Sequence, residues 1–212
     1  MTALETTAMA ATATGLTKVY GEGNTRVAAL DGVDIGFETG KLTSIMGPSG
    51  SGKSTLLHCM AGLDTPTDGD VRIGDTPIAT LDDKALTLLR RQRMGFIFQA
   101  FNLVPTLTAE ENILLPLLLG GRQADEEWKA QVVDSLGLGD RLSHRPSELS
   151  GGPLQRVAVG RALVTRPGVF VADEPAGHLG SNSGGGVLGW VRSAVGAGGG
   201  WGGVVSVGPG AA

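Results

Sequence analysis

Apolar and polar side chains alternate in places between residues 16 and 38, with Val33, Ile35 and Phe37 on one parity. That period of two predicts half-buried antiparallel strands. Residues 42–46 (Leu, Thr, Ser, Ile, Met) form a short apolar run instead, so a buried strand is expected there. A glycine-rich turn follows, and residues 53–61 then read as a helix. Val71 and Ile73 mark another strand beyond the turn-rich residues 64–70. Helical patterns come next at residues 84–93 and 126–136, where Trp128, Val132, Val133 and Leu136 fall on one face. The apolar run Val169, Phe170, Val171, Ala172 predicts a second buried strand, which delivers Asp173 and Glu174 at its end.

Strands that feed helices through short glycine-containing turns predict an α/β fold with a mainly parallel sheet. An antiparallel β subdomain precedes it, and residues from about 92 to 165 read as a helical subdomain inserted between two core strands. Residues 1–14, rich in Ala and Thr, are expected to be a disordered lead-in, which leaves 15–212 as one domain. That lead-in holds one Glu and no Lys or Arg, so it lacks the basic start of a signal peptide.

The tail departs from the rest. Residues 177–212 hold 14 glycines, and from Pro175 onward the only charged side chain is Arg192. Val187, Val191, Ala194 and Val195 keep helical spacing, and residues 204–207 (Val, Val, Ser, Val) still read as a strand. Each interior glycine costs a helix about 1 kcal/mol relative to alanine. A weakly folded, degenerate segment is therefore expected at 177–212.

Composition narrows the function classes. The net charge of −4 supplies no basic field, which argues against a nucleic-acid partner. One cysteine, Cys59, excludes an internal disulfide and fits a reducing compartment. No segment approaches the roughly 20 apolar residues of a spanning helix, so a cytoplasmic protein is expected, reaching a membrane only through a partner.

The chemistry lies in two places. Gly47, Pro48, Ser49, Gly50, Ser51, Gly52, Lys53 and Ser54 fit G-x-x-x-x-G-K-[ST] between a predicted strand and a predicted helix, the context that makes a phosphate-binding loop credible. Its glycines let successive N–H groups point at a β-phosphate, and the helix presents its positive end to the same anion. Lys53 would reach the β- and γ-phosphates of ATP, Ser54 would ligate Mg²⁺, and Thr55 would add an α-phosphate contact. At the end of the second buried strand, Asp173 would hold Mg²⁺ and Glu174 would orient or deprotonate the attacking water.

Leu149-Ser150-Gly151-Gly152, some 20 residues before Asp173, narrows the field further. It resembles the signature of ATP-binding-cassette (ABC) ATPases, and the resemblance runs from about Gly15 to Val195. Tyr20 stands at the spacing of that family's adenine-stacking aromatic, and Gln99 in Gly95-Phe96-Ile97-Phe98-Gln99 matches its Q-loop. Finer strings, including Ala100-Phe101-Asn102-Leu103, Glu111-Asn112-Ile113 and Leu115-Pro116, resemble the lipoprotein-releasing, macrolide-export and cell-division branch. The resemblance implies that Tyr20 stacks on adenine and that Gln99 touches Mg²⁺ and senses a permease. It implies that Ser150, Gly151 and Gly152 bind the γ-phosphate held by a second subunit. It further implies an ATPase in a head-to-tail homodimer, peripheral on the inner face of the plasma membrane, working with an integral-membrane permease.

The sequence departs from that pattern at several positions. Pro153 replaces the usual Gln, though in the first turn of a helix capped by Ser150 its missing N–H does little structural harm. Ala176, His178 and Gly180 replace the usual Thr, polar residue and Asp after Glu174. No histidine follows residues 204–207, where the family carries its switch histidine; the three present are His58, His144 and His178. Two readings stay open: a decayed or misread coding segment of an ordinary transporter ATPase, or a degenerate subunit that binds ATP and hydrolyses it slowly.

Overall fold

The computed structural model describes residues 8–98, 100–173 and 204–207. Its first layer is an antiparallel sheet of order β2-β1-β4-β5, with β1 at Met9–Tyr20, β2 at Val27–Glu38, β4 at Asp68–Ile73 and β5 at Thr76–Pro77. The predicted alternation is visible here: Val33 and Ile35 pack against a core in which Phe37 and Leu16 are fully buried.

β1 begins earlier than expected. Residues 9–14, read from the sequence as part of a disordered lead-in, belong to the strand, and Ala10, Ala11 and Ala13 are buried. The reason is two-sided pairing: Ala11 lies opposite Phe37 on β2 and Ile73 on β4, and Ala13 lies opposite Ile35 and Val71. Small side chains of low strand propensity are held by neighbours that bring the bulk.

The second sheet is parallel, of order β3-β8-β7-β6, formed by Leu42–Ile45, Val204–Val207, Val169–Asp173 and Met94–Ile97. The strand at Met94–Ile97 is a correction, because the sequence reading put the helical part from about residue 92. Four residues that include Gly95 carry too short a pattern to announce a strand. The glycine is needed for packing: a Cβ there would lie 2.8 Å from the Ala162 carbonyl oxygen. The helix that follows the phosphate loop, α1 (Lys53–Met60), packs Leu57 and Cys59 into the core shared with the antiparallel sheet.

α2 (Asp83–Arg93) leads into β6, and three further α-helices follow among the described residues: α3 (Ala109–Leu119), α4 (Glu126–Ser135) and α5 (Gly151–Leu163). The face predicted for α4 is buried as expected, and the Trp128 indole N–H donates to the Leu163 carbonyl at 3.2 Å. Thr108 and Glu111 cap α3 reciprocally, with Glu111 N–H to Thr108 Oγ1 at 3.2 Å and Thr108 N–H to Glu111 Oε2 at 2.7 Å. The helix expected at residues 187–195 lies outside the described residues.

Candidate nucleotide site

β3 ends at Ile45, and the chain turns through residues 46–52 into α1. Gly50 and Gly52 hold φ of +79° and +83°, a region closed to most side chains. Gly52 has a second constraint, since a Cβ would stand 2.3 Å from the Ala29 carbonyl oxygen of β2. The loop is thus pressed against the antiparallel sheet while it opens the helix, leaving the first N–H groups of α1 without helical acceptors.

Lys53 is buried, 8% exposed, with its ammonium turned into the loop. Nζ donates to the Gly47 carbonyl at 2.8 Å, to the Pro48 carbonyl at 2.7 Å and more weakly to Ser51 Oγ at 3.5 Å. Carbonyl dipoles compensate the buried charge, which stands beside a cleft of about 210 Å³ lined by Ala29, Ser49, Gly50, Gly52, Lys53, Ser54 and Thr55. A lysine, three hydroxyl side chains and a helix N-terminus around one cleft favour a phosphorylated anion.

Strand register places the other elements around it. Ile45 lies opposite Val207, and Val207 lies opposite Asp173, so three adjacent parallel strands end in one row. Ile97 lies opposite Ala172, which brings the end of β6 to the same edge. With strands about 4.8 Å apart, the backbone of Asp173 sits two spacings from the start of the phosphate loop, at the carboxyl edge where ligands of such sheets collect. Gln99 and Glu174 lie outside the described residues, as do Ala176, His178 and Gly180.

Among the described residues no group of three or more His, Cys, Asp or Glu could hold a metal by itself. Ser54 lines the cleft and the backbone of Asp173 ends β7 at the same sheet edge. A hydroxyl and a carboxylate are residue types whose hard oxygens would suit Mg²⁺ that arrives with a nucleotide and keeps phosphate oxygens and water in its shell.

Tyr20 closes β1 beside the same helix. Its hydroxyl donates to Asp64 Oδ2 at 2.6 Å, and the Lys18 ammonium donates to Asp64 Oδ1 at 2.6 Å and to the Thr65 carbonyl at 2.7 Å. Lys18 Nζ also stands 4.9 Å from the centre of the Tyr20 ring. The hydrogen bond to Asp64, then burial, raises the Tyr20 pKa, while a hydrogen bond with Thr55 opposes them. The Lys18 hydrogen bond, then that from Tyr20, pulls the Asp64 carboxyl below its ordinary value. Tyr20 is nevertheless 43% exposed, anchored by its hydroxyl with ring surface left open. Sequence reading singled out Tyr20 and passed over Lys18 and Asp64; an anchor between residues 46 positions apart has no local signal.

Ser150 caps α5 with φ −76° and ψ 169°, and its hydroxyl makes no bond back to its own helix. Gly151 and Gly152 open the helix, and Pro153 falls in its first turn as the sequence required. Among the described residues nothing lies within 4 Å of a Cβ built at Gly152. None of Ser150, Gly151 and Gly152 lines the cleft over the phosphate loop. One chain therefore does not bring the two predicted halves of the site together.

A parallel sheet carrying a lysine-bearing phosphate loop, with an acidic residue registered at the same edge, defines a P-loop nucleotide-binding ATPase. The family model for "ABC transporter" matches residues 30–177, and the chain belongs to that family as an ATP-binding subunit. It is 46% identical over 178 residues, 83% of this chain and 73% of the relative, to the lipoprotein-releasing system ATP-binding protein LolD of Xanthomonas euvesicatoria pv. vesicatoria. The protein of the same name from Geobacter metallireducens is 47% identical over 166 residues, 77% of this chain and 74% of its own. A dimeric post-hydrolysis state of the ATP-binding cassette MJ0796, bound to ADP and Pi, matches with a TM-score of 0.82 at 39% identity, covering 93% of this chain and 87% of that one.

Proposed function

We propose that the chain is the ATP-driven motor of a transporter of the lipoprotein-releasing kind, and that it works as a homodimer joined to an integral-membrane permease. The observation that supports the dimer is the separation just described: the phosphate cleft is lined by residues of β2, the phosphate loop and α1, whereas Ser150–Gly152 lies outside that lining, with no described residue within 4 Å of a Cβ built at Gly152. A γ-phosphate held by one protomer would satisfy the signature helix N-terminus of the other. The related cassette MJ0796 is dimeric with ADP and Pi. No helix among the described residues is long and apolar enough to cross a membrane, so attachment to the inner face of the plasma membrane would come through the permease.

In this reading Tyr20 stacks on adenine while Asp64 holds its hydroxyl. The N–H groups of residues 47–54 and the Lys53 ammonium bind the β- and γ-phosphates, and Thr55 meets the α-phosphate. Ser54, Asp173 and Gln99 would hold Mg²⁺, which when bound neutralises charge on the phosphate oxygens. Glu174 orients the attacking water and accepts its proton, and Gln99 reports the state of the permease.

A second reading, slow hydrolysis, is favoured by a specific observation. Val207 is registered between Ile45 and Asp173, and Gly208, Pro209 and Gly210 follow it. None of these carries a side-chain donor for the developing phosphoryl charge, and the lack of one such donor costs about 10²–10³ in rate. Phosphate release from the purified chain, measured with and without Glu174→Gln, tests the enzyme. Turnover that depends on Glu174 supports the motor, and none above background in either supports an ATP-binding module.

A further inference from the structure

Phe101 and Asn102 are consecutive non-glycine residues in left-handed backbone, with φ of +58° and +48°. Asn tolerates that region; for Phe it is costly. The hydrogen bonds of the turn are local, Phe101 N–H to the Phe98 carbonyl at 3.1 Å and Asn102 N–H to the Ala100 carbonyl at 2.6 Å.

What stabilises the turn from outside is Arg161 of α5. One of its terminal nitrogens donates to the Asn102 carbonyl at 2.6 Å and the other to the Phe101 carbonyl at 2.8 Å. Successive carbonyls of an extended chain point to opposite sides, while those of helical backbone, left-handed as well as right-handed, point to one side. A planar guanidinium fork can grip two neighbouring carbonyls only when they share a side, so the fork opposes relaxation of the costly left-handed turn to extended backbone. Burial draws the Arg161 pKa below its ordinary value, the mark of a cation partly taken from water.

The loop is fixed at its far end as well. Asn112 is fully buried: its side chain accepts from Val104 N–H at 2.8 Å and donates to the carbonyls of Val104, Leu107 and Thr108. Residues 101–108 are therefore tied to helices at both ends, and the tie nearer β6 comes from the helix that begins with the signature.

We infer that Arg161 is a positioning residue for the ATPase reaction: its guanidinium fixes the Phe101–Asn102 turn, and thereby couples the signature helix to the segment that carries Gln99, two residues earlier in the chain. The mechanical half of this inference rests on geometry. The catalytic half rests on the role proposed above for Gln99.

The test uses the full chain with MgATP, comparing Arg161→Ala, Arg161→Lys and the double variant Arg161→Ala with Phe101→Gly, by amide hydrogen exchange and steady-state turnover. Arg161→Ala should speed exchange at Phe101 and Asn102 by about tenfold or more and lower kcat by about tenfold, with KM for MgATP within about twofold. Arg161→Lys should fall between, because one ammonium cannot span both carbonyls in plane. The glycine variant should recover most of kcat, since glycine enters the left-handed region without the steric penalty.

Unchanged exchange at Phe101 and Asn102 in Arg161→Ala would overturn the clamp, whatever the turnover. A parallel loss of kcat, nucleotide affinity and melting temperature without rescue by glycine would also overturn it, leaving a plain packing role. Gln99→Ala separates the two readings. If that variant keeps its kcat, the assignment of Gln99 fails while exchange still decides the clamp.

Discussion

The two ends of the proposed ATP site are built in opposite ways within one chain. At the phosphate loop the ammonium and the backbone are held in place: Lys53 rests on the Gly47 and Pro48 carbonyls, and Gly52 is pressed against β2. At the start of α5, Ser150 makes no side-chain bond to its own helix, and no described residue lies within 4 Å of a Cβ built at Gly152. In the proposed reading the first is a pocket shaped for a ligand, and the second a surface whose ligand is presented by a second copy.

That contrast can be broken most sharply at Lys53. Lys53→Ala should lower MgATP affinity by about 100-fold or more, because a buried ammonium loses its charge-assisted bonds to phosphate; titration calorimetry measures it. Affinity within a few-fold of the parent would mean that the cleft is not the phosphate site.

Gly152→Val should do the reverse. No described residue lies within 4 Å of a Cβ built at Gly152, so melting temperature and ATP affinity of the isolated subunit should hold. Turnover should nevertheless fall by about 10²-fold as the opposing phosphate is displaced. A loss of ATP affinity comparable to that of Lys53→Ala would erase the distinction between the two ends.

Gly208→His places a donor after β8, whose last residue is registered between Ile45 and Asp173. Turnover should rise by about tenfold or more if the missing donor limits hydrolysis. An unchanged rate would move the limitation elsewhere.

The smallest effect belongs to Asp64→Asn, which weakens the anchor of Tyr20. KM for MgATP should rise about threefold with kcat unchanged, the size of one weakened hydrogen bond. The pH dependence follows from the two shifts. The lowered Asp64 pKa adds stability above the ordinary carboxylate value of about 4, lost as pH falls through the folded value; the raised Lys18 pKa adds stability below about 10.4, lost as pH rises through its folded value. The difference in melting temperature between parent and Asp64→Asn should therefore be flat from about pH 5 to 9 and shrink below about pH 4. A difference that persists well below that range would show that the pair is not the cause.

Legibility in the sequence followed locality. The phosphate loop was readable because strand, glycines, lysine and helix are contiguous, and the burial of α4 because Trp128, Val132 and Val133 repeat at helical spacing. The early start of β1 was hidden because the bulk that stabilises Ala11 and Ala13 resides on β2 and β4. The brief strand β6 was hidden because Gly95 interrupts a four-residue run. The anchor of Tyr20 and the Arg161 clamp join residues 44 and about 60 positions apart, and no window along the chain contains both partners.

The central claim, that one protomer's phosphate loop and the other's signature helix enclose each ATP, is tested most directly by the mass of Glu174→Gln in solution with saturating MgATP, measured by light scattering. The account predicts a dimer with ATP, a monomer with ADP, and a monomer under both conditions once Gly152→Val is added. A protein that stays monomeric with ATP, or a dimer that survives Gly152→Val, would contradict it.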